Sequence, residues 1–264
     1  MVELPILHIE HLGITFGAVK AVNDLGFSAR RGEVLSIIGP NGAGKTTLFN
    51  MISGIYKPMR GKILFDGENV TGHRPHQLAE LGLSRTFQNL QVFQQMSALE
   101  NVMAGHHLHE RGSVIADLLH LPGCRRNNRR SEQASMELLD RVGLADVAHR
   151  EAGTLSYGML KRLEIARALA CRPKLLLLDE PAAGCNATET EEVDNLIASI
   201  GAEGISVLLV EHDMKLVMRI SNHVVVLDYG EKLAEGTPQE VRDNPKVIEA
   251  YLGTHGKEAA DALG

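Results

Sequence analysis

The chain has little of what would make it a secreted or membrane-spanning protein. It has three cysteines, Cys124, Cys171 and Cys185, with no C-x-x-C pair. That set argues against a disulfide framework or a zinc site and for a reducing compartment. No apolar run nears the ~20 residues a spanning helix needs, so any membrane role is expected to be peripheral and through partners. The first ten residues carry Glu3, Pro5, His8 and Glu10 and lack the basic start and apolar core of a signal peptide. Basic residues are not in excess: 27 Lys and Arg against 33 Asp and Glu leave a net charge of −6. That balance is no footprint for nucleic acid, and no nucleic-acid partner is expected. What remains is ordinary globular composition, 44% hydrophobic and 23% charged over 264 residues. It suffices for one domain with a sizeable core and a subdomain.

One stretch organises the chain. Gly39-Pro40-Asn41-Gly42-Ala43-Gly44-Lys45-Thr46-Thr47 has the form G-x-x-x-x-G-K-[ST], a phosphate-binding P-loop. The apolar run 34–38 before it reads as a buried strand. Leu48, Met51 and Ile52 after it recur at helical spacing, with Gly54 as the residue that ends the helix. Strand, glycine loop, helix is the context the motif requires. Glycines let backbone N–H groups approach phosphate oxygens, and the helix N-terminus adds about half a positive charge. Lys45 is expected to reach the β- and γ-phosphates, and the Thr46 hydroxyl to ligate Mg²⁺.

Around the loop, strands are expected over 6–16, 19–30 and 62–65, the last followed by an Asp66-Gly67 hairpin turn. A short helix is expected over 77–83 and a strand over 83–88. Beyond Asn89 the β-branched clusters fade and helices are expected at 98–109, 111–120 and 131–142. Ser131 would cap the last of these, Gly143 would end it, and Arg125, Arg126, Arg129 and Arg130 would form a polar break before it. Residues 89–158 thus read as a helical subdomain inserted into an α/β core. The core resumes with a helix over 157–170, an apolar strand over 174–178 and an amphipathic helix over 189–200. Strands over 205–210 and 223–227 follow, then a closing helix over 238–252. Alternating apolar strands and helices argue for a mostly parallel sheet covered on both faces.

Hydrolysis of a nucleoside triphosphate needs a metal, a carboxylate beside it, a group that activates water and charge stabilisation at the γ-phosphate. Asp179, after four leucines, fits the Mg²⁺-holding carboxylate, and Glu180 beside it fits the general base. Gln88 and His212 each end a different expected strand. Gln88 could sense Mg²⁺ and water, and His212 could contact the γ-phosphate or steady Glu180. Phe16 could offer a flat face to adenine. Ser156 and Gly158 open the helix over 157–170, a second anion-ready terminus. Two such termini in one chain suggest a dimer in which each nucleotide is closed by the partner's second terminus.

With these motifs in this order, the chain resembles ATP-binding subunits of ABC transporters, over nearly its whole length. Gly39–Thr46 is similar to the Walker A motif, Gln88 to the Q-loop and Leu155-Ser156-Tyr157-Gly158-Met159 to the signature motif. Leu175–Asp179 is similar to Walker B with Glu180 as catalytic glutamate, 183–186 to the D-loop, His212 to the H-loop and Phe16 to the aromatic A-loop. The resemblance implies a P-loop (RecA-like) α/β core with a mostly parallel sheet, an N-terminal antiparallel β subdomain and an inserted helical subdomain. It also implies a single domain over 4–253 with a tail at 254–264. ATP and Mg²⁺ are the implied ligands. Catalytic roles fall to Glu180, His212 and Gln88, and metal contacts to Thr46, Gln88 and Asp179. Nucleotide contacts fall to Phe16, Gly39, Asn41, Gly42, Ala43, Gly44, Lys45, Thr46, Thr47, Ser156 and Gly158.

Arg85-Thr86-Phe87-Gln88, Tyr157, Pro181-Ala182-Ala183-Gly184 and the ending 247–253 look like the branched-chain amino-acid importer subfamily. That implies a second ATPase subunit (identical or different), two transmembrane permease subunits, a periplasmic solute-binding protein acting indirectly, and a place on the cytoplasmic face of the inner membrane. Urea, other amino acids or a lipid stay open as cargo. A non-transport ABC ATPase of DNA repair or chromosome organisation is the reading from another class. The stretch from Gln88 to Ser156 is short for one and carries no sustained heptads. The segment 90–96, centred on Phe93, mixes apolar and amide residues as a docking groove for permeases would. Two positions depart from the family pattern. Met159 stands where the signature has Gln, which in S-x-x-Q would complete a capping box. Asn186 stands where many families have Asp. His106, His107 and His109 lack metal-ligand spacing and read as a solvated helix face.

Overall fold

The computed structural model describes residues 4–86, 90–106 and 122–254, with backbone alone at 122–128 and 252–254. Two compact units divide them: residues 4–85, 174–180 and 197–254 in the first, and 86, 90–106, 122–173 and 181–196 in the second.

The first unit holds two sheets. Strands β1 (Leu7–Phe16), β2 (Val19–Ala29), β4 (Arg60–Phe65) and β5 (Glu68–Asn69) form an antiparallel sheet in the order β2-β1-β4-β5. Its last hairpin turns at Asp66 (φ 53°) and Gly67 (φ 82°), as an Asp-Gly pair with two positive φ values favours. The second sheet is made of β3 (Val34–Ile38), β6 (Leu83–Arg85), β7 (Leu175–Asp179), β8 (Ser206–Val210), β9 (His223–Asp228) and β10 (Glu231–Gly236). Their order is β10-β9-β3-β8-β7-β6, parallel throughout except at the β9–β10 edge. Every residue of β3, β7 and β8 is buried, which is why these strands read as unbroken apolar runs. One core joins both sheets, with Phe49 of helix α1 (Lys45–Ile52) and Phe65 fully buried within it. Because β3, β7 and β8 are parallel and adjacent, the chain leaves all three at the same end of the sheet. In open α/β sheets that end is where ligands bind.

Helix α2 (Pro75–Leu81) precedes β6. The second unit is built from α3 (Ala98–His106), α4 (Pro122–Arg141), α5 (Tyr157–Ala170) and the first part of α6 (Ala187–Ala202). Helix α3 begins with a complete capping box. Ser97 Oγ accepts from Glu100 N at 3.2 Å, and Glu100 Oε2 accepts from Ser97 N at 2.8 Å. It packs closely on α5, since a Cβ on Gly105 would lie 2.4 Å from the Arg167 carbonyl oxygen.

Several expectations need correction. The arginine-rich stretch is no break: α4 runs from Pro122 through it, and Ser131 is interior rather than a cap. Proline suits the first helical position, and arginine is a good helix former. His106 is buried, not on a solvated face, because α3 presents it to the helical packing. His107 and His109 lie outside the described residues, as do Gln88, the helix expected at 111–120 and most of the tail. The closing helix is two, α8 (Pro238–Arg242) and α9 (Pro245–Thr254). Pro245 disfavours helical backbone at Asn244 before it. Helix α7 (Met214–Ile220), capped by Asp213, and the polar edge strand β10 were not anticipated.

Candidate functional site

The P-loop leaves β3 at Gly39 and enters α1 at Lys45. Two of its glycines are required by close approach. A Cβ on Gly39 (φ 150°) would lie 2.1 Å from the Leu227 carbonyl oxygen, and one on Gly44 (φ 98°) would lie 2.4 Å from that of Ala21. Gly42 also has a positive φ, 83°, but nothing lies within 4 Å of its Cβ position. The base of the loop is therefore clamped by backbone while its crown faces open space. Asn41, Gly42 and Thr46 are exposed, Thr47 is partly exposed, and Ala43 is buried. Ala43 accepts a hydrogen bond from Gly230 N at 3.0 Å, so the β9–β10 turn supports the loop from below. Tyr251 of α9 packs with Ile38, Met214 and Val226 under the same strand end. Burial pushes its hydroxyl up to about 12.

Lys45 is 8% exposed and its Nζ donates to the carbonyls of Gly39 at 2.6 Å and Pro40 at 3.1 Å. Burial lowers its pKa, and the nearby carboxylates of Glu180 and Asp179 pull it back up. A desolvated ammonium folded onto its own loop, beside an open crown of backbone N–H groups, suits a polyphosphate.

Asp179 ends β7 and is 3% exposed. Its Oδ2 accepts from Arg85 at 3.0 Å. Arg85 ends β6 and also donates to Asn50 Oδ1 at 2.8 Å and Ser53 Oγ at 2.7 Å, with its guanidinium 5.6 Å from the Phe49 ring centre. Glu180 follows in a left-handed backbone conformation (φ 49°), held by a bond from its N–H to Val210 O at 2.9 Å. Such strain costs about 1–2 kcal/mol and gathers at functional sites. His212, just past β8, places Nδ1 3.8 Å from Glu180 Oε1. The exposed ring of Phe16 meets Tyr56 edge to face, with centroids 5.4 Å apart.

Lys45, Thr46, Asp179, Glu180 and His212 thus belong to one unit and meet at one end of one sheet. Thr46 and Asp179 offer hard oxygen donors, which fits Mg²⁺ with phosphate and water completing its shell. Ser156 and Gly158 belong to the other unit. Ser156 is the N-cap of α5 and its Oγ accepts from Met159 N at 3.3 Å. Glu189 is close by, its Oε1 accepting from Ser156 Oγ at 3.1 Å and from Gly158 N at 3.2 Å. Sequence reasoning missed the roles of Arg85, Tyr56, Tyr251 and Glu189. Only Arg85 carried a signal, lying in the run 85–88 that ends in Gln88.

A family model described as ABC transporter matches residues 22–183, and one described as branched-chain amino acid ATP-binding cassette transporter matches 231–257. The chain is 48% identical over 250 residues to the high-affinity branched-chain amino acid transport ATP-binding protein BraF of Pseudomonas aeruginosa, covering 94% of this chain and 98% of that one. The ADP conformation of MJ1267, an ATP-binding cassette of an ABC transporter, aligns with a TM-score of 0.81 at 32% identity, over 95% of this chain and 99% of that chain. The dimeric structure of MJ0796, a bacterial ABC transporter cassette, aligns with a TM-score of 0.75 at 25% identity, over 88% and 98%.

Proposed function

The chain belongs to the ABC transporter family of ATP-binding cassettes, and on that premise we propose that it powers an importer of branched-chain amino acids. Family membership carries nucleotide binding and ATP hydrolysis coupled to transport. The cargo rests on one observation, the match to the branched-chain family model at 231–257, supported by likeness to BraF over nearly the whole chain.

The P-loop N–H groups, Lys45 and the α1 N-terminus hold the phosphates, and the Phe16–Tyr56 pair faces adenine. Thr46, Asp179 and Gln88 would hold Mg²⁺, which would neutralise developing charge on the phosphates. Glu180 takes the proton from the attacking water. His212 steadies Glu180 and reaches the γ-phosphate. Ser156 and Gly158 serve the nucleotide of a second ATPase subunit, as the dimeric relative suggests. Two permeases receive the closing motion on the cytoplasmic face of the membrane, and a periplasmic binding protein delivers the solute. Among the described residues no helix is long and apolar enough to cross a membrane, which supports peripheral attachment.

Copurification of the tagged chain, followed by ATPase assays of the recovered complex with candidate solutes, tests this. Permease subunits and stimulation by leucine, isoleucine or valine are expected. Stimulation only by urea or a lipid would reassign the cargo.

A further inference from the structure

We propose that Glu189 is a gate on the signature helix: its carboxylate occupies the phosphate-receiving donors of Ser156 and Gly158 until a γ-phosphate displaces it. The inference rests on the reading of Ser156 and Gly158 as contacts to the nucleotide of a second subunit.

One carboxylate here serves two helix starts. Oε1 accepts from the Ser156 hydroxyl at 3.1 Å and from Gly158 N at 3.2 Å, at the N-terminus of α5. Oε2 accepts from Asn186 N at 3.2 Å, while Asn186 Oδ1 accepts from Glu189 N at 3.0 Å. That reciprocal pair is a capping box on α6 with Asn186 in the capping position. The approach is close: a Cβ on Gly158 would lie 2.5 Å from Glu189 Cδ, so a larger residue there would push the carboxylate aside. The contact extends along the chain: a Cβ on Gly184 would lie 3.0 Å from the Tyr157 ring. Signature and D-loop are thus locked by one carboxylate and one ring.

At position 159 the family's glutamine would accept from Ser156 N and complete a capping box. Methionine cannot, and Glu189 supplies a different pair of contacts, to the Ser156 hydroxyl and Gly158 N. The Asn186 N–H, with further help from Ser156 and Gly158, holds the Glu189 carboxyl below the usual carboxylate range, so the group is an anion at neutral pH.

A helix N-terminus favours an anion, and Glu189 already supplies one. A γ-phosphate needs the same hydroxyl and N–H, and two anions cannot share them. Closure must therefore release Oε1. Oε2 can keep its Asn186 partner, so the released carboxylate stays tethered to the D-loop and loosens its hold on the signature. Glu189 is a positioning residue, and its presence raises the ATP concentration that closure requires.

The test uses the assembled importer with Glu189→Gln and, separately, Glu189→Ala in this chain. Half-saturating ATP, kcat and nucleotide affinity of the isolated subunit are measured together. Losing the charge-assisted contacts is expected to lower half-saturating ATP about tenfold. The P-loop affinity of the isolated subunit should not change, because Glu189 bonds to the signature and D-loop segments. A merely structural cap predicts the opposite: half-saturating ATP unchanged or raised in both variants, which would overturn the gate. Ser156→Arg separates this from the underlying reading. If it abolishes ATP-driven closure while the Glu189 variants behave as wild type, the gate alone fails. If closure survives Ser156→Arg, the signature reading fails and the gate with it.

Discussion

Replacing Arg85 by methionine isolates the group that sequence reasoning passed over. Arg85 and Asp179 are 8% and 3% exposed as side chains and form a 3.0 Å ion pair. Methionine keeps the aliphatic stem but removes the guanidinium from Phe49 and Asp179 and the donor from Asn50. Burial works against the guanidinium charge, and Asp179 offsets it, so the pair is stable as a pair and costly when halved. Breaking such a buried pair costs about 3–5 kcal/mol. At roughly 2–4 °C per kcal/mol for a chain of this size, the melting temperature should fall by about 10 °C. The assay is thermal and urea unfolding of Arg85→Met, Asp179→Asn and the double variant. Asp179→Asn should recover part of the loss in the Arg85→Met background, because it removes the orphaned charge. A double-mutant coupling near zero would refute the argument that the two side chains act as one unit.

Other outcomes follow from the same geometry. Gly44→Ala should abolish nucleotide binding, measured with a fluorescent ATP analogue, because its Cβ would meet the Ala21 carbonyl oxygen at 2.4 Å. Gly42→Ala meets no atom and should cost only about 1–2 kcal/mol of left-handed strain. Phe93→Asp should uncouple ATPase activity from transport in the reconstituted importer while nucleotide affinity survives. The ring is 53% exposed and its backbone is pinned by buried Asn101, so the loss is confined to the ring and its contact with the Arg167 guanidinium, 5.5 Å from the ring centre. Lys45 has a lowered pKa because it is buried, and bound phosphates raise it. Nucleotide binding at alkaline pH below the ordinary lysine value should therefore take up protons. Calorimetry in buffers of different ionisation enthalpy detects this, and the uptake should vanish in Lys45→Met.

The P-loop, Asp179, Glu180 and His212 were legible because each sits at the end of a strand buried on both faces. Those strands, β3, β7 and β8, announce themselves as continuous apolar runs. Helix α5 was legible from Ser156 and Gly158 at its start. β10 was not, because an edge strand with exposed Glu231 and Lys232 has no apolar pattern. Helix α7 is only seven residues long, though Asp213 caps it by accepting from Lys215 N and Leu216 N. The 122–130 stretch misled because arginine and asparagine carry no apolar period, while the helix there is continuous with the amphipathic turn holding Leu139. Arg85 and Glu189 were opaque for a different reason. Each works through partners distant in sequence, 94 positions away for Arg85 and Asp179 and 33 for Ser156 and Glu189. No local spacing rule encodes such a contact.

The central claim is that Glu180 drives hydrolysis in a nucleotide site completed by a second subunit. Turnover and ATP-dependent closure of the Glu180→Gln importer test it most directly. The account predicts that turnover falls by at least about a hundredfold, as loss of a general base requires, while ATP still closes the dimer. Full turnover in Glu180→Gln would contradict it.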